Sequence, residues 1–170
     1  RVPKAMVERF FPTLPFVGNW LNSIGSIVGD PYNCEKLLEN DEAIIVFPEG
    51  VRGSGKLFKD RYQLQRFGNG FMHLAMKHET PIIPVGIVGL EESIISFADM
   101  KPLAKLFGMP YAPLIIPALF PTKVYIHFGK PLYFENDIHS EYEVKARVNI
   151  VKDEIRNLID IGLSKRTSIF

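Results

Sequence analysis

Residues 43–56 read AIIVFPEGVRGSGK: five apolar residues, a proline, and then a polar stretch holding three glycines. Ala43, Ile44, Ile45, Val46 and Phe47 form a short, largely β-branched run with no polar position, the pattern of a strand buried on both faces, and Pro48 ends it. The glycine-rich part is then a loop at the end of that strand. Beyond it Phe67, Phe71, Leu74 and Ala75 share one helical face in a segment ending near His78, and a second buried run follows over residues 82–88. Strand, loop, helix and strand in this order predict an α/β domain.

The flanks agree. Asp30 and Pro31 have the form of an N-cap and a first helical position, opening a helix through Cys34, Leu37 and Leu38 to about Asn40. Residues 123–128 alternate, with Val124, Ile126 and Phe128 on one face and Lys123, Tyr125 and His127 on the other, as a half-exposed strand does. Ser140 and Glu143 have capping-box spacing, and Val144, Val148, Val151, Ile155 and Leu158 make the apolar stripe of a long closing helix. The expected architecture is a mostly parallel central sheet flanked by helices, in a single domain over residues 1–170. The chain opens on Arg1 with no signal-peptide pattern and reads as part of something longer, N-terminally incomplete.

Composition narrows the function. Twenty Lys and Arg against nineteen Asp and Glu give a formal charge of +1, which argues against a broad nucleic-acid-binding surface. The single cysteine, Cys34, rules out an internal disulfide or a cysteine-built metal site. Residues 10–29 carry no charge and are long enough to span a bilayer, but Pro12, Pro15, Gly18, Asn19, Asn22, Ser23 and Gly25 suit a loop-rich element packed on a domain or lying at an interface. Residues 106–122 are also uncharged. Pro110, Pro113, Pro117 and Pro121 exclude a regular helix there, leaving a membrane- or lipid-touching segment flanked by Lys101, Lys105 and Lys123, or a buried irregular connection.

The loop carries the chemistry. Gly50 to Lys56 has the G-x-x-x-x-G-K spacing of a phosphate-binding loop, but Leu57 stands where a Ser or Thr would hold magnesium, and residues 82–89 offer no carboxylate as a second anchor. From Arg52 to Arg66 there are five basic residues, Arg52, Lys56, Lys59, Arg61 and Arg66, against Asp60 alone. That excess of four in a nearly neutral chain predicts an anion, although Lys59 and Arg61 also suit a solvated loop. Gly50, Gly53 and Gly55 allow close backbone approach with N–H groups turned inward, and Arg52 can clamp a phosphate or carboxylate with paired hydrogen bonds. Glu49, at the end of a buried strand, requires a donor, whether a backbone N–H, Arg52 or a substrate hydroxyl.

Taken together, Phe47-Pro48-Glu49-Gly50-Val51-Arg52 resembles the F-P-E-G-T-R block of glycerolipid acyltransferases related to lysophosphatidate acyltransferase, with Val51 in place of Thr. Pro81-Ile82-Ile83-Pro84-Val85 resembles that family's later proline block. The segment RFGNGFMHLA, residues 66–75, is similar to an R-x-G-F segment of the related diacylglycerol acyltransferases, and residues 14–29 resemble the block preceding F-P-E-G. These blocks stand in family order over residues 14–89. The resemblance implies O-acyl transfer from an acyl thioester, acyl-CoA or acyl carrier protein, to a glycerolipid hydroxyl. It implies no metal or cofactor, and work at a membrane surface on the cytoplasmic face. It places Glu49, Gly50 and Arg52 in the acceptor site; the loop's own chemistry adds Gly53 and Lys56 as candidate substrate-binding residues.

The family's catalytic motif is His-x-x-x-x-Asp, a base oriented by a carboxylate. Here the residues five after His73, His78, His127 and His139 are His78, Ile83, Leu132 and Val144, so the motif is absent, and family order places it upstream of Arg1. The four histidines read as structural or surface residues, and Cys34 as a small buried one. Two departures remove positive charge from the expected acceptor site. Gly29 and Asp30 stand where an Arg usually ends the earlier block, and Phe67-Gly68-Asn69-Gly70 lacks the Lys of F-K-x-G. The acceptor is then a lysophospholipid or a neutral lipid: monoacylglycerol, diacylglycerol or a long-chain alcohol. The competing reading is a lipid- or membrane-binding domain that keeps the fold without the base.

Overall fold

The computed structural model describes residues 2–13, 16–93, 95–99, 113–115, 120–137 and 140–168. In chain order the elements are β1 (Lys4–Val7), α1 (Val17–Ser23), β2 (Ile27–Val28), α2 (Pro31–Glu39), β3 (Ile44–Ile45), α3 (Val51–Ser54), α4 (Gly70–Lys77), β4 (Val85–Val88), α5 (Leu90–Ser93), β5 (Ser96–Asp99), β6 (Pro113–Ile115), β7 (Tyr125–Phe128) and α6 (Glu141–Lys165). The first three strands make a parallel sheet in the order β2-β1-β3, with Met6 opposite Ile27 and Lys4 opposite Ile44. β4 pairs antiparallel with β7, and β5 with β6. The fold is thus α/β, with a parallel three-stranded sheet flanked by helices.

Local signals set the helix ends. The Asp30 carboxylate accepts from the Asn33 N–H at 2.8 Å, with Pro31 in the first turn, and Asn40 closes α2. Ser140 caps α6 by accepting from the Glu143 N–H at 3.3 Å. The core joins α4 to α6: Phe67, Met72, Met76, Val144, Val148 and Val151 are buried together, and Met72 is wholly inaccessible. α4 starts at Gly70, three residues later than the apolar spacing implies. Phe67 is buried ahead of the helix, because the chain turns at Gly68, whose N–H donates to the Pro48 carbonyl.

Two strand expectations change. The run over residues 43–47 yields only the two-residue β3, at the edge of its sheet, and Ile45, Val46 and Phe47 are exposed. With β1 on one side only, pairing stops after Ile45, and the chain has left the sheet before Pro48. In β7 the faces are reversed. Val124, Ile126 and Phe128 point outward, while Tyr125 and His127 are half-buried toward α6. Glycines explain it. A Cβ on Gly86 would lie 2.7 Å from the Leu158 Cβ, and one on Gly162 would lie 2.8 Å from a Val88 methyl. The long helix therefore seats closely on the Gly86, Val88 and Tyr125 face, and the apolar alternation of β7 is left outside.

Residues 82–88 form β4 preceded by a bridge from Ile82 to Leu132, with Val88 fully buried and Ile83 exposed. The proline-rich stretch 106–122 lies mostly outside the described residues. Among the described residues, no helix is long and apolar enough to cross a membrane.

Candidate functional site

Parallel strands place their ligand crevices at their carboxyl ends. β1 and β3 are neighbours running the same way, and Glu8 follows the first as Pro48 and Glu49 follow the second. A groove of about 460 Å³ opens there, lined by Glu8, Glu49, Gly50 and Arg52 together with apolar residues including Val46, Phe47 and Phe71. Gly50 is at φ 57, and a Cβ on it would come within 2.9 Å of the Glu8 carboxylate. The left-handed backbone and the close carboxylate both call for glycine. A Cβ on Gly53 would meet the Glu49 Oε2 at 2.5 Å, so Gly53 serves by letting Glu49 fold back over the short helix α3.

Glu49 has its donor: its Oε1 accepts from the backbone N–H of Gln65 at 2.9 Å. Arg52 is exposed, and its guanidinium reaches the Arg66 carbonyl at 3.5 Å, leaving further N–H donors for a ligand. The glycine N–H groups expected to cradle an anion are already used. Those of Gly50, Gly53 and Gly55 donate to the carbonyls of Phe47, Gly50 and Val51, because residues 51–54 form a helical turn where the composition reads as an open loop. Among the sequence-derived site residues, Glu49, Gly50 and Arg52 line one groove, Gly53 supports it, and Lys56 does not reach it.

Lys56 turns into the protein. Its side chain is 8% exposed; its Nζ lies 2.8 Å from Glu91 and donates to the Gln63 carbonyl at 3.2 Å. The phosphate-loop reading ends there, since its lysine is engaged within the fold. Lys56 and Glu91 belong to a brace behind the loop. The Tyr62 N–H donates to Glu91 at 2.7 Å, and the Gly89 N–H donates to the Tyr62 hydroxyl at 2.8 Å. Glu92 lies 2.5 Å from Arg166, both side chains 8% exposed, and 3.8 Å from Arg61. Tyr62 is held at φ 63, a left-handed conformation rare for a bulky residue, and this brace sustains it. Burial pushes the Tyr62 phenol above its ordinary range, with the Glu92 charge adding to it and the Gly89 hydrogen bond opposing. The hydrogen bond to Glu92 raises the Arg166 guanidinium further still.

Sequence reading missed Glu8, Glu91 and Glu92. Glu8 follows a four-residue strand whose lysine start hides it, and the two consecutive glutamates lie about thirty residues from the loop they brace. Of the histidines, His73 stands 3.5 Å from Glu141 at the surface, while His78 and His127 each bury an Nε2. His139 lies outside the described residues. Cys34 is buried with its Sγ 3.5 Å from the Met6 sulfur, and burial, then the Asp30 charge, push its thiol up, away from nucleophilic form. Among the described residues no three His, Cys, Asp or Glu side chains converge as a metal site.

Comparison with known proteins supplies the family. A profile described as Acyltransferase matches residues 4–88. An uncharacterized protein of Mycobacterium leprae is 41% identical over 158 residues, covering 86% of this chain and 42% of its own. A Gallus gallus protein named DGAT1/2-independent enzyme synthesizing storage lipids is 26% identical over 139 residues, covering 80% of this chain and 41% of its own. Among solved structures, the 1-acyl-sn-glycerophosphate (LPA) acyltransferase PlsC of Thermotoga maritima superposes with a TM-score of 0.63 at 19% identity, over 98% of this chain and 58% of that one; the likeness is one of fold. The chain spans about half the length of the curated relatives it matches. Since the profile runs from β1 through the Glu49–Arg52 groove to the end of β4, half of the 170 residues, the chain belongs to the acyltransferase family.

Proposed function

We propose that this chain is part of an enzyme that moves a fatty acyl group from a thioester, acyl-CoA or acyl carrier protein, to a hydroxyl of a glycerolipid held in the Glu8–Glu49–Arg52 groove. The acceptor oxygen attacks the thioester carbonyl, a C–O bond forms and the C–S bond breaks. The hydroxyl proton passes to a base and then to the departing thiolate. The reading gives the base to a histidine of a His-x-x-x-x-Asp motif outside residues 1–170, and no residue of this chain takes that part. Within the chain, a carboxylate accepts a hydrogen bond from an acceptor hydroxyl, Arg52 donates to an ester carbonyl or phosphate, and Val46, Phe47 and Phe71 pack against the lipid's apolar part.

The charge balance of the groove carries the choice of acceptor. It holds two carboxylates, Glu8 and Glu49, and one guanidinium, Arg52. The other basic residues of the 52–66 segment do not line it, and Asp30 is occupied as the cap of α2. A phosphate dianion would meet net repulsion there, so the reading favours a neutral acceptor: monoacylglycerol, diacylglycerol or a long-chain alcohol. Contact with a membrane, on the cytoplasmic face, is part of the same reading. Phe16, Trp20 and Ile24 stand exposed at steps of four along and beside α1, inside the uncharged stretch 10–29.

The test uses the full-length protein with oleoyl-CoA and either monooleoylglycerol or lysophosphatidate. Transfer is expected to both, with the larger kcat/KM on the neutral lipid, and Arg52→Ala is expected to lower kcat/KM by about ten- to a hundredfold, the worth of a charge-assisted contact of ~1.5–3 kcal/mol. A lysophosphatidate preference overturns the neutral choice. Lipid binding with no transfer to any hydroxyl returns the protein to the lipid-binding alternative.

A further inference from the structure

A second groove, of about 640 Å³, is lined among others by Lys59, Arg61, Tyr62, Gln63, Glu92 and Arg166. Its charges do not balance. Glu92 and Arg166 neutralise one another at 2.5 Å. Arg61 lies 3.8 Å from that already engaged carboxylate, and Lys59 has no ion-pair partner among the described residues. The groove therefore holds an excess of two positive charges in a protein of formal charge +1.

Arg61 is held in place. The Arg61 guanidinium stacks on the Phe58 ring, 4.6 Å from its centroid, and donates to the Phe58 carbonyl at 3.4 Å. The turn that carries it is pinned by the Tyr62 N–H on Glu91 and by the Gly89 N–H on the Tyr62 hydroxyl. A pre-arranged guanidinium with a lysine two residues away, both lining one groove, suits a phosphate.

One stretch of chain touches both grooves. Gln63 lines the second groove, and the Gln65 N–H donates to Glu49 in the first. Two residue steps of chain span at most ~7 Å. A molecule in the second groove thus lies close to an acceptor in the first, as a co-substrate must.

We propose that the Lys59–Arg61 groove binds the phosphate-bearing carrier arm of the acyl thioester, the phosphopantetheine end common to acyl-CoA and acyl carrier protein, while the Glu49–Arg52 groove holds the acceptor. The assignment rests on the acyl-transfer reading. It explains why one loop carries both an electronegative and an electropositive groove.

The test is isothermal titration of the 170-residue chain and, in parallel, the full-length protein with CoA, phosphopantetheine and inorganic phosphate. CoA and phosphopantetheine are expected to bind, inorganic phosphate at least about a hundredfold more weakly, and added salt to weaken all three. Lys59→Gln with Arg61→Gln is expected to lower CoA affinity about tenfold or more, and Arg52→Ala to change it less than about twofold. Lys59→Gln alone, at a side chain that pairs with nothing described, is expected to lower affinity about threefold with an unchanged melting temperature, which guards against a folding defect in the double variant. CoA affinity unmoved by these substitutions, equally lost in Arg52→Ala, or matched by free phosphate overturns the assignment. The failures separate. Transfer that persists with an unchanged donor KM in Lys59→Gln/Arg61→Gln removes the groove and keeps the acyl-transfer reading. CoA binding that depends on Lys59 and Arg61 without any transfer by the full-length protein keeps a carrier-phosphate site and removes that reading.

Discussion

Arg52 and Lys56 are four residues apart on one loop, and the fold puts them to opposite uses. Arg52 stays at the surface beside Glu49 on the groove at the ends of β1 and β3, with a weak contact to the Arg66 carbonyl. Lys56 is drawn inside to Glu91, in a brace that also holds Tyr62, Arg61 and Arg166 through Glu91 and Glu92. A cation's role is thus set by where its counter-charge lies. The local excess of four positive charges over residues 52–66 does not mark one anion site, because the glutamates that divide it come from α5, far along the chain.

If the brace is structural and the groove functional, stability and activity should separate along this line. The largest stability loss is expected from Glu92→Ala, which leaves Arg166 buried without its carboxylate and Arg61 without the one 3.8 Å away: about 3 kcal/mol in a urea unfolding experiment. A loss below about 1 kcal/mol would show that the brace is not structural. Lys56→Met keeps most of the buried volume and removes the charge, and about 1.5 kcal/mol is expected, since Glu91 is partly exposed and rehydrates.

Tyr62→Phe leaves the Gly89 N–H without its acceptor and should cost about 1 kcal/mol at neutral pH. The same hydroxyl gives the protein a pH dependence. The folded phenol titrates above its ordinary value of 10.0, so its contribution is complete below pH 10 and is lost as pH rises through the folded value. The wild-type protein should therefore lose stability on the alkaline side more steeply than the Phe variant. Smallest of all, Arg52→Ala should change unfolding free energy by less than about 0.5 kcal/mol, because nothing buried depends on it.

Much of this was legible in the sequence, and what was not has physical causes. Both capped helices were readable, because the cap residue and its acceptor geometry are local: Asp30 with Asn33, Ser140 with Glu143. The Glu49–Arg52 corner was readable because strand, proline and glycine are contiguous. The face of β7 was not. Alternation shows that a strand has two faces but not which one a helix will cover, and here Gly86 and Gly162 decide that by letting α6 approach. β3 shrank to two residues because one-sided pairing cannot sustain five apolar residues as a central strand. Lys56 was placed in the site because a lysine after Gly-x-Gly looks free until Glu91 is brought beside it. Glu8 gains its place only through the register of β1 on β3, which no local pattern shows.

The division of roles between Arg52 and Lys56 is tested by acceptor kcat/KM for Arg52→Ala and Lys56→Met in the full-length protein, at a temperature where both remain folded. A fall of about ten- to a hundredfold is expected for Arg52→Ala, and a value within about threefold of wild type for Lys56→Met. Transfer lost in Lys56→Met and retained in Arg52→Ala would contradict it.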